Sequence, residues 1–251
     1  PAIEVSGGTL DVHGGIYKAD YQGDGILVKD GTANIYGGTF QGNDSYYANE
    51  GESEPIAGPA ASCAFKLYGG TVNVFGGHFT GDGSGAFFMG KAADDKAVAN
   101  IYGGEFNVSG QAGISVYQYV DVLFRPNGTV PDVGTGGDIT VTGSAAGMTL
   151  EYNLPADSNS TVKIEGGTFE GTRSNHEGDG IWYGEMTAAA NDGLIITGGI
   201  FEGTRSGIYF NANPWDGDGP TNNVAIIGGT FTSATDRPFG GENGMTEAIK
   251  T

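Results

Sequence analysis

Two stretches of the chain carry residue types from which a binding or catalytic site could be built. They are FEGTRSNHEGDGIWYGE (169–185) and FEGTRSGIYFNANPWDGDG (201–219), and both run through Glu-Gly-Thr-Arg-Ser after a phenylalanine. The match aligns Glu170 with Glu202 and Arg173 with Arg205. Around them stand His176, Asp179, Trp182, Tyr209, Asn211, Asn213, Trp215, Asp216 and Asp218. Aromatic planes beside carboxylates, amides and guanidinium groups are the mixture that recognises hydroxyl-rich neutral sugars. The same Glu and Arg residues also read as an exposed ion network between strands, worth about 0–1 kcal/mol per pair.

Hydrolysis of a glycosidic bond needs two carboxylates at a set separation. Glu170, Asp179, Glu202 and Asp216 are the candidates, and no spacing selects a pair among them. A lyase needs a base and a cation to neutralise a uronate. Eleven Lys and Arg against thirty Asp and Glu weaken that reading. No Ser-His-Asp or Cys-His spacing and no phosphate loop stands out. Calcium is the cofactor to consider. Gly-Asp-Gly occurs at 23–25, 81–83, 178–180 and 217–219, and Asp-Gly-Asp at 216–218; Asp24, Asp179, Asp216 and Asp218 are the candidate ligands. Carboxylate and carbonyl oxygens in a bend suit a hard cation, although Gly-Asp-Gly is equally a good turn. Three histidines and one cysteine show no zinc spacing.

The elements that must position these groups are written in glycine. The chain has 251 residues, of which 48 are Gly, far above the roughly 7% usual in proteins. Phe, Tyr, Ile and Val recur at intervals throughout, which excludes low-complexity disorder. A formal charge of −19 disfavours nucleic acid and anionic membrane as partners. Cys63 is the only cysteine, so no internal disulfide forms; it reads as a small core side chain. No apolar run is long enough to span a membrane. The chain starts at Pro1 with no signal peptide, as expected of a mature protein or a segment of a larger one.

The phrase NIYGGTFQG (34–42) returns as NVFGGHFTG, NIYGGEFNV, KIEGGTFEG, ITGGIFEGT and AIIGGTFTS. First glycines of the pairs fall at 14, 37, 76, 103, 166, 198 and 228, and VTGSAA adds Gly143 as a degenerate member. A minimum unit with variable insertions indicates a solenoid. The unit GILVKDGTANIYGGTFQG (25–42) holds three short strand-like pieces separated by glycine turns. Stacked in register about 4.8 Å apart, such units form a parallel β-helix with three sheets and right-handed crossovers.

Alignment of the units predicts what points inward. One ladder is Leu10, Ala33, Val72, Ala99, Ile139, Val162, Leu194 and Val224; its partner two residues on includes Ile35, Ile101, Val141 and Ile164. A third is aromatic, running from Tyr17 through Phe40, Phe79, Phe106, Phe169 and Phe201 to Phe231. Outward positions of the first strand are Glu4, Leu27, Lys66, Phe87, Ser115, Thr149, Trp182 and Tyr209. Trp182 and Tyr209 thus form either an exposed platform for sugar rings, with Phe87 further along, or a patch covered by a loop. A second outward series opens with His13, Tyr36, Phe75 and Tyr102, for which burial under the insertion at 43–63 is the expectation. The insertion at 117–137 has no assigned role.

Repeated I-x-GG-T-F-x-G units preceded by G-I-x-V resemble right-handed parallel β-helix domains of the pectate-lyase-like superfold. They are especially similar to GGTF-type, glycine-rich repeats of large bacterial surface and adhesin-like proteins. The resemblance covers nearly the whole chain and implies architecture rather than activity, since the fold hosts lyases, hydrolases, adhesins and tailspikes. The expectation is one all-β domain over residues 1–251 with about eight or nine coils, a segment of a larger extracellular protein with neighbouring domains. Its expected role is an adhesin-like cell-surface module that binds a glycan. The alternatives are a polysaccharide-degrading enzyme and a purely structural stalk. The residue after GG is too irregular for an ice-binding threonine array.

Overall fold

The computed structural model describes residues 1–19, 23–42, 62–81, 83–150, 157–174, 178–184, 193–210, 223–235 and 238–241. Among them the chain is all strand and turn, with no helix, and nearly every strand pair is parallel. The arrangement is compatible with a β-helix-like solenoid. His176, Asn211, Asn213, Trp215, Asp216 and Asp218 lie outside the described residues, as does nearly all of the insertion at 43–63.

The strands form three rows. The first runs Phe65–Leu67, Ala86–Phe88, Ala112–Val116, Ala146–Leu150, Asp179–Tyr183, Ser206–Phe210, Phe239–Gly241. A second runs Thr71–Val74, Ala97–Ile101, Val120–Phe124, Thr161–Ile164, Gly193–Ile196, Asn223–Ile226. In Ile3–Val12 and Ile26–Ile35 the two pieces are one continuous strand, so these rows join into a single 15-stranded sheet. The third row is a separate eight-stranded sheet: Ile16–Lys18, Thr39–Gln41, His78–Gly81, Gly104–Val108, Ile139–Gly143, Thr168–Gly171, Ile200–Gly203, Thr230–Ser233. Two arms plus one sheet therefore replace three separate sheets.

Alternation along each short strand sends apolar side chains to one interior, where rungs repeat every strand. Ala33, Val72, Ala99, Val162 and Leu194 align in register and are fully buried. Aromatic rungs stack face to face. Ring centroids lie 5.1 Å apart for Phe40–Phe79, 4.4 Å for Phe79–Phe106, 5.3 Å for Phe169–Phe201 and 4.8 Å for Phe201–Phe231. Between second and third rows the chain turns at the glycine pairs. The second glycine of each pair has φ between 106° and 122°, a region that L side chains avoid. At Gly38 an added Cβ would also stand 3.2 Å from the Gly15 carbonyl.

One unit departs from the expected alignment. Val122 and Phe124, rather than Ile139 and Val141, occupy the second-row ladders, in register with Ala99 and Ile101 on one side and Val162 and Ile164 on the other. Val141 instead takes the aromatic position of the third row, between Phe106 and Phe169. Gly143 matches Gly171, not the glycine pair. The volume is conserved by exchange: Phe124 sits edge-on to Phe169 at 5.2 Å while valine fills the third-row rung. Residues 120–124 are thus core strand, and the true insertion is 125–138, where other units have their glycines.

That insertion forms the antiparallel pair Thr129–Val130 and Gly134–Thr135, and it lies on the second outward series. A Cβ at Gly128 would meet Tyr102 at 2.4 Å, and one at Gly134 would meet Tyr36 at 3.0 Å. His13, Tyr36, Phe75 and Tyr102 stack at 4.5, 5.2 and 5.3 Å, and Phe75 and Tyr102 are buried. The described cover is therefore the hairpin, where the sequence pointed to the insertion at 43–63.

Past Tyr102 the column becomes ionic. Arg125 grips Glu165 at two points (Nε–Oε2 2.6 Å, Nη2–Oε1 2.9 Å), and Lys163 Nζ approaches Oε1 at 2.7 Å. The guanidinium and ammonium donors hold the Glu165 carboxyl down from 4.5 to about 2. A carboxyl depressed by folding stabilises the fold fully above its unfolded pKa and loses that contribution as pH falls from about 4.5 to about 2. Solvent screening limits the size to about 1 kcal/mol. Urea midpoints of wild type and Glu165→Gln should therefore differ near neutral pH and converge at the acid end of that window. A pH-independent gap would refute the assignment.

Candidate functional site

The expected outward row of the first arm is present. Register partners run Glu4, Leu27, Lys66, Phe87, Ser115, Thr149, Trp182, Tyr209. Its middle is closed to solvent. Leu27 and Lys66 are 7% exposed and Phe87 3%, with Phe87 between the rings of Tyr68 and Tyr117 at 5.7 and 4.7 Å. Phe87 is therefore packed away, and the ligand face it was expected to extend does not reach it. Trp182 and Tyr209, on adjacent strands, remain partly exposed.

The corner that precedes these strands builds the polar half of the site. Asp179 opens the strand Asp179–Tyr183 and is 1% exposed. Its Oδ1 accepts from Arg205 Nε at 3.0 Å and from Ser206 Oγ at 2.9 Å, and its Oδ2 accepts from Arg205 Nη2. Burial pushes the Asp179 carboxyl up, against the pull of Arg205 and Ser206. The guanidinium so held lies over the Tyr209 ring, 3.5 Å from its centroid, a cation–π contact. Backbone bonds fix the corner: Arg205 N–H donates to Gly178 O at 2.8 Å, and Arg173 N–H to Ser144 O at 2.7 Å. Thr204 Oγ1 donates to Arg173 O at 2.5 Å, which ties the two Thr-Arg corners together.

The structure thus gathers Trp182, Tyr209, Arg205 and Asp179, with Arg173 exposed at the neighbouring corner. It pairs Arg205 with Asp179, an acid that lies outside both Glu-Gly-Thr-Arg-Ser motifs, five residues past the first. Glu170 and Glu202 are in register with each other, between Thr142 and Thr232, on the outward face of the eight-stranded sheet. As acid–base candidates the two glutamates stand apart from the aromatic pair, and Asp179 is enclosed by its donors.

The metal candidates within the described residues are also taken. Asp24 Oδ1 accepts from Cys63 N–H at 2.9 Å and pairs with Lys66 Nζ at 3.0 Å, with both side chains largely buried. Burial works against the Lys66 charge, yet Cys63 and Asp24 hold it above the usual lysine range. Among the described residues no group of three or more His, Cys, Asp or Glu side chains is arranged to hold a metal ion.

Sequence reasoning missed a polar ladder. Asn100 Nδ2 donates to Asn73 Oδ1 (3.0 Å), Asn73 to Asn34 (2.8 Å), and Asn34 to Asp11 (2.8 Å). Its signal was the asparagine that begins NIYGG, NVFGG and NIYGG. A chain of side-chain amides polarises along its length and fixes register between strands. Comparison with known proteins finds no matching family model, no matching curated protein and no matching solved structure.

Proposed function

We propose that this chain is an extracellular, cell-surface binding module of adhesin type, recognising a neutral glycan on the face that carries Trp182 and Tyr209. The scaffold in this reading is a right-handed parallel β-helix of about eight or nine coils. The observation that supports it is the register pairing of two partly exposed aromatic residues beside a fixed guanidinium. Indole and phenol rings offer apolar faces to sugar C–H groups, while neighbouring N–H donors meet hydroxyls. The Arg205 charge is balanced by Asp179 and the chain carries −19 overall, which favours neutral over uronate-bearing polymers.

A glycan array probed with wild type and Trp182→Ala tests the reading. Signal on neutral glycans that falls at least about tenfold in the variant, equivalent to about 1.4 kcal/mol, supports it. Equal signal from both proteins removes Trp182 from the site, and no signal from either favours a structural stalk. Incubation with the bound polysaccharide and a reducing-end assay addresses hydrolysis. Product formation that disappears in Glu170→Gln or Glu202→Gln would replace the binder by an enzyme.

A further inference from the structure

The outward face of the eight-stranded sheet takes no part in the Trp182 site, and none of its outward side chains is buried. Large exposed apolar side chains are rare among the described residues: Ile16 (71%), Ile200 (43%) and Ile227 (77%). Two of these three stand on this face, Ile16 in the first strand and Ile200 in the seventh. Two residues on in the same strands are Lys18 and Glu202, both exposed, and neither has an ion-pair partner among the described residues. The face therefore carries an apolar group and a charge at each end, with opposite charges at the two ends, about 29 Å apart at the usual strand spacing.

We propose that this face is self-complementary and joins two copies of the chain. A two-fold axis parallel to the strands, placed over Gly104–Val108, brings the first strand against the seventh, the second against the sixth and the third against the fifth. Ile16 then meets Ile200 of the second copy and Lys18 meets Glu202, each contact made twice, as an isologous interface requires. Between them Thr39 faces Thr168 and Gln41 faces Glu170, pairs able to hydrogen-bond. Glu105 approaches its own copy near the axis, where His78 Nδ1 lies 2.9 Å from its Oε2. The other two-fold arrangement, with its axis across the strands, sets Ile16 against Lys18 and Ile200 against Glu202, so the charges select the first.

The patch is one strand wide, at the small end of specific interfaces, so the dimer is weak and reversible. Two copies at −19 each repel, and screening at about 0.15 M salt is needed to see it. Sedimentation velocity at rising protein concentration is the test. Wild type is expected to shift reversibly from monomer to dimer. Lys18→Glu should raise the dissociation constant at least about fivefold, because two attractive contacts become repulsive. The double variant Lys18→Glu/Glu202→Lys should return it to within about twofold of wild type. Both substituted sites are exposed, and unchanged melting temperatures confirm that the variants fold. A concentration-independent monomer overturns the proposal, as do open-ended filaments built through the strand edges, and so does a dimer that Lys18→Glu leaves unchanged or that the double variant fails to restore.

Discussion

Phe79→Ala is expected to cost about 3–5 kcal/mol of folding stability, the range for truncating a fully buried phenylalanine. Phe79 is wholly enclosed, with rings on three sides: Phe40 at 5.1 Å, Phe106 at 4.4 Å and Phe65 at 5.9 Å. Neighbouring strands are fixed by their own ladders, so the void cannot close by collapse. Tyr17 is the contrasting rung. Among the described residues it stacks on one ring only, Phe40 at 5.1 Å; it is partly exposed, and its hydroxyl donates to Gly14 O at 2.8 Å. Tyr17→Ala should cost well under half as much. Denaturant unfolding of both variants settles the ranking, and equal losses would mean that the aromatic column is not a continuous core.

The second large effect comes from the buried Asp24–Lys66 pair. Asp24→Ala leaves Lys66, 7% exposed, with no compensating carboxylate among the described residues and frees the Cys63 N–H. Removing one partner of such a pair typically costs about 3–5 kcal/mol. Replacing Lys66 by methionine in the Asp24→Ala background should recover most of that loss, because an apolar chain of similar length has no charge to strand. Unfolding free energies of the two single variants and the double variant give the coupling directly. If Lys66→Met fails to rescue, Asp24 acts through its bond to the Cys63 backbone instead.

Much of the architecture was legible because the repeat writes it redundantly. The glycine pairs recur where the backbone needs positive φ, and in the second row the residue two positions beyond one inward rung is itself inward, as in Ala33 and Ile35 or Val72 and Val74. The register of Trp182 with Tyr209 followed from counting alone. The misplaced unit shows the limit of that count. Val120–Phe124 alternates inward and outward like its neighbours, but it ends in Arg125-Pro126 rather than Gly-Gly, so an alignment anchored on glycine slid to Gly143. The core accepts either ring or valine at a rung provided the pair of rungs fills the same volume, and sequence spacing does not record that exchange.

The site was legible in its residue types and not in its pairings. Glu170–Arg173 and Glu202–Arg205 suggested carboxylates and guanidinium groups joined within the motif. Short strands send residue 202 outward from the eight-stranded sheet, while Arg205 lies past the corner, next to the strand that Asp179 begins. Which side of a corner a residue falls on decides its partner, and Asp179 looked like part of a Gly-Asp-Gly turn. Phe87 misled for a related reason. Its outward direction was right, but Tyr68 and Tyr117 from flanking turns close over it.

Trp182 and Trp215 are the only tryptophans in the chain, so Trp215→Phe makes Trp182 the sole indole reporter. Titration of that variant with glucose-, mannose- and xylose-based oligosaccharides, read by tryptophan emission, examines the proposed sugar face itself. The account predicts a saturable change in Trp182 emission with at least one of them, abolished when Tyr209 and Arg205 are replaced by alanine. Emission that stays constant through millimolar concentrations of every sugar, from a protein that melts like wild type, would contradict it.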